Sequence, residues 1–189
     1  MKTKNNKNIF SLVVPNEVQL TLTNTGLALE GAVGSLSVDL KALDPLGLCA
    51  YAYKQNVFSI TPLYKSTRAI TSAKTMASLL KLKIEGVRVG YMCKMAVKGV
   101  GFRVNLETSK NVQTLNFKLG YSHDVLYELP EDVKAFCLDP NTFCLYGLDT
   151  AKVHNVAAKL IQLRKPDSYK GKGIYLVANP PQVKEVSKR

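Results

Sequence analysis

A short pattern occurs twice in this chain, and it constrains the fold more than any other feature. Val14-Pro15-Asn16-Glu17-Val18 is echoed by Leu129-Pro130-Glu131-Asp132-Val133, 115 positions later. The residues after each copy also match: a strand, a turn, a second strand and a glycine, with one residue of difference in the loop. Two copies at so long a spacing indicate duplication of a whole small domain and not a solenoid, whose repeats are shorter and more numerous. The chain has 189 residues, which is enough for two such domains.

Periodicity sets the content of each half. Val18, Leu20 and Leu22 alternate with polar residues, Asn24-Thr25-Gly26 turns, and Leu27 to Gly31 returns; Leu36 to Leu40 alternates again. That is a β-meander. Asp44-Pro45-Leu46-Gly47 is a further turn, and Val57 to Ile60 reads as a strand. From Thr67 the period lengthens: Ala69, Ile70, Ala73, Met76, Ala77, Leu80 and Ile84 recur every three or four residues, a helical stripe ending at Gly86.

The second half repeats the plan. Strand patterns run over Val89–Val97, Phe102–Leu106 and Val112–Leu119, with a turn at Ser109-Lys110-Asn111. Leu129–Phe136, a turn at Asp139-Pro140-Asn141, and Phe143–Gly147 come next. A helix capped by Asp149 then buries Val153, Val156, Ala157, Leu160 and Ile161 and runs out at Lys165, before Pro166. The expected class is α+β: two tandem similar domains, each an antiparallel sheet packed by one helix. The expected divisions are a basic arm over 1–11, domains over 12–85 and 86–175, and a basic tail over 176–189.

Charge points to the partner. The net charge is +12. Ten basic residues and one acid, Glu85, lie between Lys54 and Arg103; Val112 to Thr150 holds two basic residues and six acids; nine basic residues and two acids lie beyond Ala151. Two cationic regions around an acidic one imply a bound face and a free face, with a polyanion as the partner. The densest cationic stretch is Arg164-Lys165-Pro166-Asp167-Ser168-Tyr169-Lys170-Gly171-Lys172-Gly173. Lysines and an arginine attract phosphates, glycines let main-chain N–H groups approach phosphate oxygens, and Tyr169 offers a ring face or a hydroxyl.

Other chemistries lack their motifs. Gly99-Val100-Gly101 precedes a strand and has no third glycine opening a helix, so it is not a dinucleotide loop. Cys49, Cys93, Cys137 and Cys144 have no Cys-x-x-Cys spacing and no neighbouring histidine; they read as small hydrophobes in a reducing compartment, not as a metal site. His123 and His154 are isolated, and Asp124, Glu128, Glu131 and Asp132 read as a solvated rim. No catalytic residue, cofactor or metal is expected. No apolar run is long enough to span a membrane, and the polar, basic residues 1–8 do not form a secretory signal.

Pro166 to Ile174 resembles the C-terminal signature of the bacterial-type large-subunit ribosomal protein L6 family, in which proline, an acid, Tyr-Lys-Gly-Lys-Gly and an aliphatic residue occur in this order. Leu119-Gly120-Tyr121-Ser122-His123 and Lys98-Gly99-Val100-Gly101-Phe102-Arg103 resemble two further segments of that family. The resemblance implies a non-catalytic constituent of the large ribosomal subunit. It implies contact with large-subunit rRNA near the factor-binding region, close to the sarcin–ricin loop, with other ribosomal proteins as neighbours. The rRNA contacts it implies are Tyr169, Lys170, Gly171, Lys172 and Gly173, with Arg164, Lys165, Lys98 and Arg103 in support. Where the family continues with Arg-Tyr, this chain has Tyr175-Leu176, and residues 41–64 fit loosely. That drift, the cysteines and the Asn/Lys-rich start fit a mitochondrial ribosome, with a plastid or bacterial chain as the alternative. The rival functions are a free-standing RNA-binding or interaction module with the same duplicated fold and an enzyme acting on RNA.

Overall fold

The computed structural model describes residues 9–23, 26–109 and 112–184. Residues 1–8 of the expected arm, residues 185–189 of the expected tail and the tips of two expected turns, Asn24-Thr25 and Lys110-Asn111, lie outside these residues. The chain forms two compact units that divide between Gly90 and Tyr91.

The first unit runs β1 (Phe10–Val13), β2 (Gln19–Leu22), β3 (Gly26–Glu30), β4 (Ser35–Asp39), a single turn α1 (Leu40–Leu43), β5 (Cys49–Lys54), β6 (Val57–Pro62) and α2 (Thr67–Arg88). The meander is there, in the order β2-β3-β4, but the strands divide over two antiparallel sheets where one was expected. The other sheet has the order β1-β6-β5. The split falls at Pro15. Phe10 to Val13 pair with Ile60 to Val57, and the Val18 N–H then closes a turn on the Pro15 carbonyl at 3.0 Å, which sends β2 into a new sheet. Phe10 and Ser11 are thus strand residues and not part of an arm.

Strand β5 carries a weak sequence signal. It joins β6 through Gln55 and Asn56, at φ +49° and +60°, a two-residue hairpin without the usual glycine. Helix α2 starts at Ser66, whose hydroxyl accepts the Ala69 N–H at 3.2 Å. Its expected stripe is buried, apart from the half-buried Ile70. Gly86 does not stop it; the helix runs to Arg88, is capped by Val89, and the chain turns at Gly90, φ +81°. The last turn is held from outside: the Val33 N–H donates to the Val87 carbonyl at 3.2 Å, and the Arg88 Nε meets Glu17 at 2.7 Å. A glycine costs about 1 kcal/mol inside a helix, less than burial of the Val87 side chain returns.

The second unit runs β7 (Tyr91–Lys98), β8 (Arg103–Ser109), β9 (Val112–Lys118), β10 (Val125–Glu128), β11 (Val133–Asp139), β12 (Thr142–Gly147), α3 (Thr150–Leu163) and β13 (Gly173–Leu176). Its sheets are β8-β9-β10 and β11-β12-β7-β13, antiparallel throughout. Phe117 and Phe143 meet edge-on in its core, 5.6 Å between centroids, with Met95, Leu145, Val153, Leu160 and Ile174 around them.

The duplication is therefore real but lies in a different frame from the one the paired motif suggests. β1 corresponds to β7, the meander β2-β3-β4 to β8-β9-β10, the hairpin β5-β6 to β11-β12, and α2 to α3. Gln19 and Arg103 open equivalent strands 84 positions apart; Thr67 and Thr150 open equivalent helices 83 apart. Pro15 and Pro130 instead sit in non-equivalent connections that share one turn. In each, the valine three residues on donates to the proline carbonyl at 3.0 Å, between two buried apolar residues.

Candidate nucleic-acid interface

Helix α3 starts at Asp149, whose carboxylate accepts the Ala151 N–H, and it ends at Leu163. The stop is two residues earlier than expected, because Pro166 biases Lys165 to extended backbone and Arg164 is already extended at φ −149°. The stretch beyond is a closed loop. The Ile174 N–H donates to the Arg164 carbonyl at 2.9 Å, and the Asp167 N–H donates to the Lys172 carbonyl at 2.9 Å.

Asp167 organises the interior of this loop. Its carboxylate accepts the Tyr169 and Lys170 N–H groups at 3.3 and 3.1 Å, and its carbonyl accepts the Gly171 N–H at 2.9 Å. These amides are occupied, so the glycine reading changes: Gly171 supplies backbone shape and not a phosphate donor. Gly171 sits at φ +64° and Gly173 at φ +148°. A Cβ on Gly173 would lie 2.6 Å from the Pro166 Cα and 2.8 Å from the Arg164 oxygen, so only glycine fits.

Three segments converge behind the loop. The Arg164 guanidinium lies 4.9 Å from the Tyr121 ring centroid and 6.0 Å from that of Phe102. The Tyr121 hydroxyl donates to the Leu163 carbonyl at 3.1 Å. Gly99 and Gly120 leave room for the Phe102 ring, since a Cβ on Gly99 would fall 2.5 Å from it. Lys98 pairs with Gly173 across β7 and β13, and its Nζ lies beside Gly171. Residues 177–184, expected as a tail, return across the loop: the Lys184 N–H donates to the Ser168 carbonyl at 2.8 Å, and Val183 packs on Gly171.

What remains outward-facing is chemically simple. Lys98, Lys165, Lys170 and Lys172 are exposed, and Tyr169 is 60% exposed. Asp167 is the sole acid from Arg164 to Gly173, and its oxygens are turned to loop amides. The result is a pre-formed cationic projection with one aromatic ring.

The sequence pattern of the family described as ribosomal protein L6 matches residues 98–175, the span from Lys98 through this loop into strand β13. The large ribosomal subunit protein uL6 of Halorhodospira halophila is 31% identical over 176 residues, 93% of this chain and 94% of that protein. The uL6 proteins of Hydrogenobaculum sp. and Buchnera aphidicola are 33% and 32% identical. They cover 86% and 94% of this chain, and 84% and 96% of their own lengths. The chain belongs to the ribosomal protein L6 family.

In this L6 chain the structure brings together Lys98, Arg164, Lys165, Tyr169, Lys170, Gly171, Lys172 and Gly173. Arg103 opens β8, next to the buried Phe102, and points away from it by strand alternation. Arg164 is half-buried against two rings, which is a positioning place and not an exposed one. Residue typing alone misses Phe102, Tyr121 and the returning segment. An aspartate two residues ahead of Tyr169 is the spacing of an Asx turn and is the available signal for the loop's internal bonding. No helix is long and apolar enough to cross a membrane among the described residues.

Proposed function

We propose that this chain is a structural, non-catalytic constituent of the large ribosomal subunit that holds large-subunit rRNA with the loop from Lys165 to Lys172. One observation carries the reading. The Asp167, Tyr169, Lys170 and Gly171 amides are bonded within the loop, and Lys98, Lys165, Lys170, Lys172 and Tyr169 are left exposed around it. A pre-ordered cluster of ammonium groups gains counterion-release free energy on phosphates and loses little ordering entropy. Gly171 and Gly173 shape the loop, Arg164 anchors it on Tyr121 and Phe102, and Arg103 is an outlying cation.

The L6 relatives are large-subunit proteins by name, which supports the assembly. The site within it, near the factor-binding region and the sarcin–ricin loop with ribosomal proteins alongside, rests on the family resemblance of the loop. A mitochondrial ribosome is the compartment we propose, on the cysteine content and the divergence of residues 41–64. The test is the salt dependence of binding to a large-subunit rRNA fragment. Lys170→Ala with Lys172→Ala should lower the slope of log K against log salt by about two, since each phosphate contact contributes roughly 0.9 for a duplex. An unchanged slope removes both lysines from the contact.

A further inference from the structure

Strand register sorts the side chains of the four-stranded sheet onto two faces. Ala135, Leu145 and Cys93 are cross-strand partners, all buried, on the face that carries Met95, Phe143 and Ile174 and packs on α3. The opposite face reads as rows. Phe136, Cys144 and Lys94 form one; Lys134, Tyr146 and Met92 form the next; Thr142, Ala96 and Tyr175 form a third. Lys98 and Gly173 close this face at the base of the loop.

That face is open and unusual in content. Phe136 is 51% exposed and Met92 71% exposed, with Lys94 and Lys134 exposed beside them. Cys144 is buried although it lies on this face, so its neighbours roof it. The four strands contain a single acid, Asp139, at the far end of β11. The fold itself does not demand such residues. The equivalent face of the first unit carries Ser11, Ser59, Thr61, Ala50 and Ala52, with Val13 and Lys54 at its margins.

We propose that this outer face is a stacking platform for unpaired nucleotides of the RNA, a proposal that rests on the RNA-binding reading above. The Phe136 ring takes a base, with Tyr146 and Tyr175 in the neighbouring rows. Lys94, Lys134 and Lys98 take the phosphates on either side. Aromatic rings among cations on an open sheet favour a single strand, because every base has a stacking face and every linkage a charge. A protein partner with a matching apolar patch would leave three lysines without a role. Through Lys98 the platform is continuous with the loop, so one strand can run from one to the other.

The test is binding of a labelled twelve-residue oligouridylate and of a twelve-base-pair RNA duplex to the full chain at fixed salt. Phe136→Ala should weaken oligouridylate binding about tenfold, with duplex binding and the salt slope unchanged. A tenfold loss is about 1.4 kcal/mol, the scale of one base stacked on a ring. Phe136→Leu, which keeps the apolar area and removes the ring, should lose as much as Phe136→Ala. Unchanged oligouridylate binding in Phe136→Ala overturns the platform, and so does full retention in Phe136→Leu, which means simple apolar docking. A change in self-association with oligouridylate binding intact also overturns it, in favour of a protein contact. In those three cases duplex binding by the parent chain leaves the wider reading standing; a parent chain that binds neither RNA ends both.

Discussion

The two units share a strand order and differ in where their charge sits. In the first, α2 runs 22 residues and presents Arg68, Lys74 and Lys81 to solvent. In the second, α3 has 14 residues, and its Lys152 is tied to Asp132 at 2.6 Å. The cations have moved to the loop beyond it. Matching the buried stripes, Ala69 with Val153, Ala73 with Ala157 and Met76 with Leu160, sets Leu80 against Arg164, one position further on than the helix starts alone would. Where α2 continues for two more turns over its core, Pro166 cuts α3 short. The freed chain becomes the loop and β13, for which the described residues of the first unit hold no counterpart. Ending one helix early thus gives the second unit a cationic projection with no counterpart among the described residues of the first.

The sharpest contrast is between two left-handed glycines. Gly173→Ala meets backbone at 2.6 Å from φ +148° and should cost about 4 kcal/mol, as strain and overpacking add. Gly47→Ala in the first unit, at φ +62° with open space around it, should cost about 1 kcal/mol. Urea titration of each variant checks the pair, and equal costs would mean that the loop adjusts freely. The aligned pair Leu80 and Arg164 gives a smaller difference. Leu80→Ala removes a fully buried side chain and should cost about 3 kcal/mol. Arg164→Ala loses two ring contacts, about 1 kcal/mol by thermal or urea denaturation. A larger loss at Arg164 would make it a core residue and not an anchor for the loop.

How much of the molecule is legible in its sequence varies by element, for physical reasons. Stripes such as Ala73–Met76–Leu80 and Val153–Ala157–Leu160 are long and periodic, so α2 and α3 are plain from sequence. The cations of 164–174 are plain as composition. The repeat frame is not, because a proline turn flanked by buried apolar residues recurs wherever chain geometry wants it, whatever strands it joins. Strand β5 escapes because Ala50, Ala52, Tyr51 and Tyr53 alternate only mildly and Gln55-Asn56 lacks glycine. The end of α2 is misplaced from sequence because Gly86 is a local signal overruled by the tertiary grip on Val87. In the loop, spacing shows which residues are near each other but not which amides are already spent; that depends on the Asp167 carboxylate folding back.

The central claim, that this L6 chain works inside a large ribosomal subunit, is met most directly by gradient sedimentation. The endogenous protein would be followed in lysates of whole cells and purified mitochondria, with and without RNase. The account predicts co-migration with the mitochondrial large subunit, abolished by RNase. Co-migration with another compartment's large subunit would contradict the mitochondrial placement alone. Residence at the top of the gradient in every sample would contradict the claim itself.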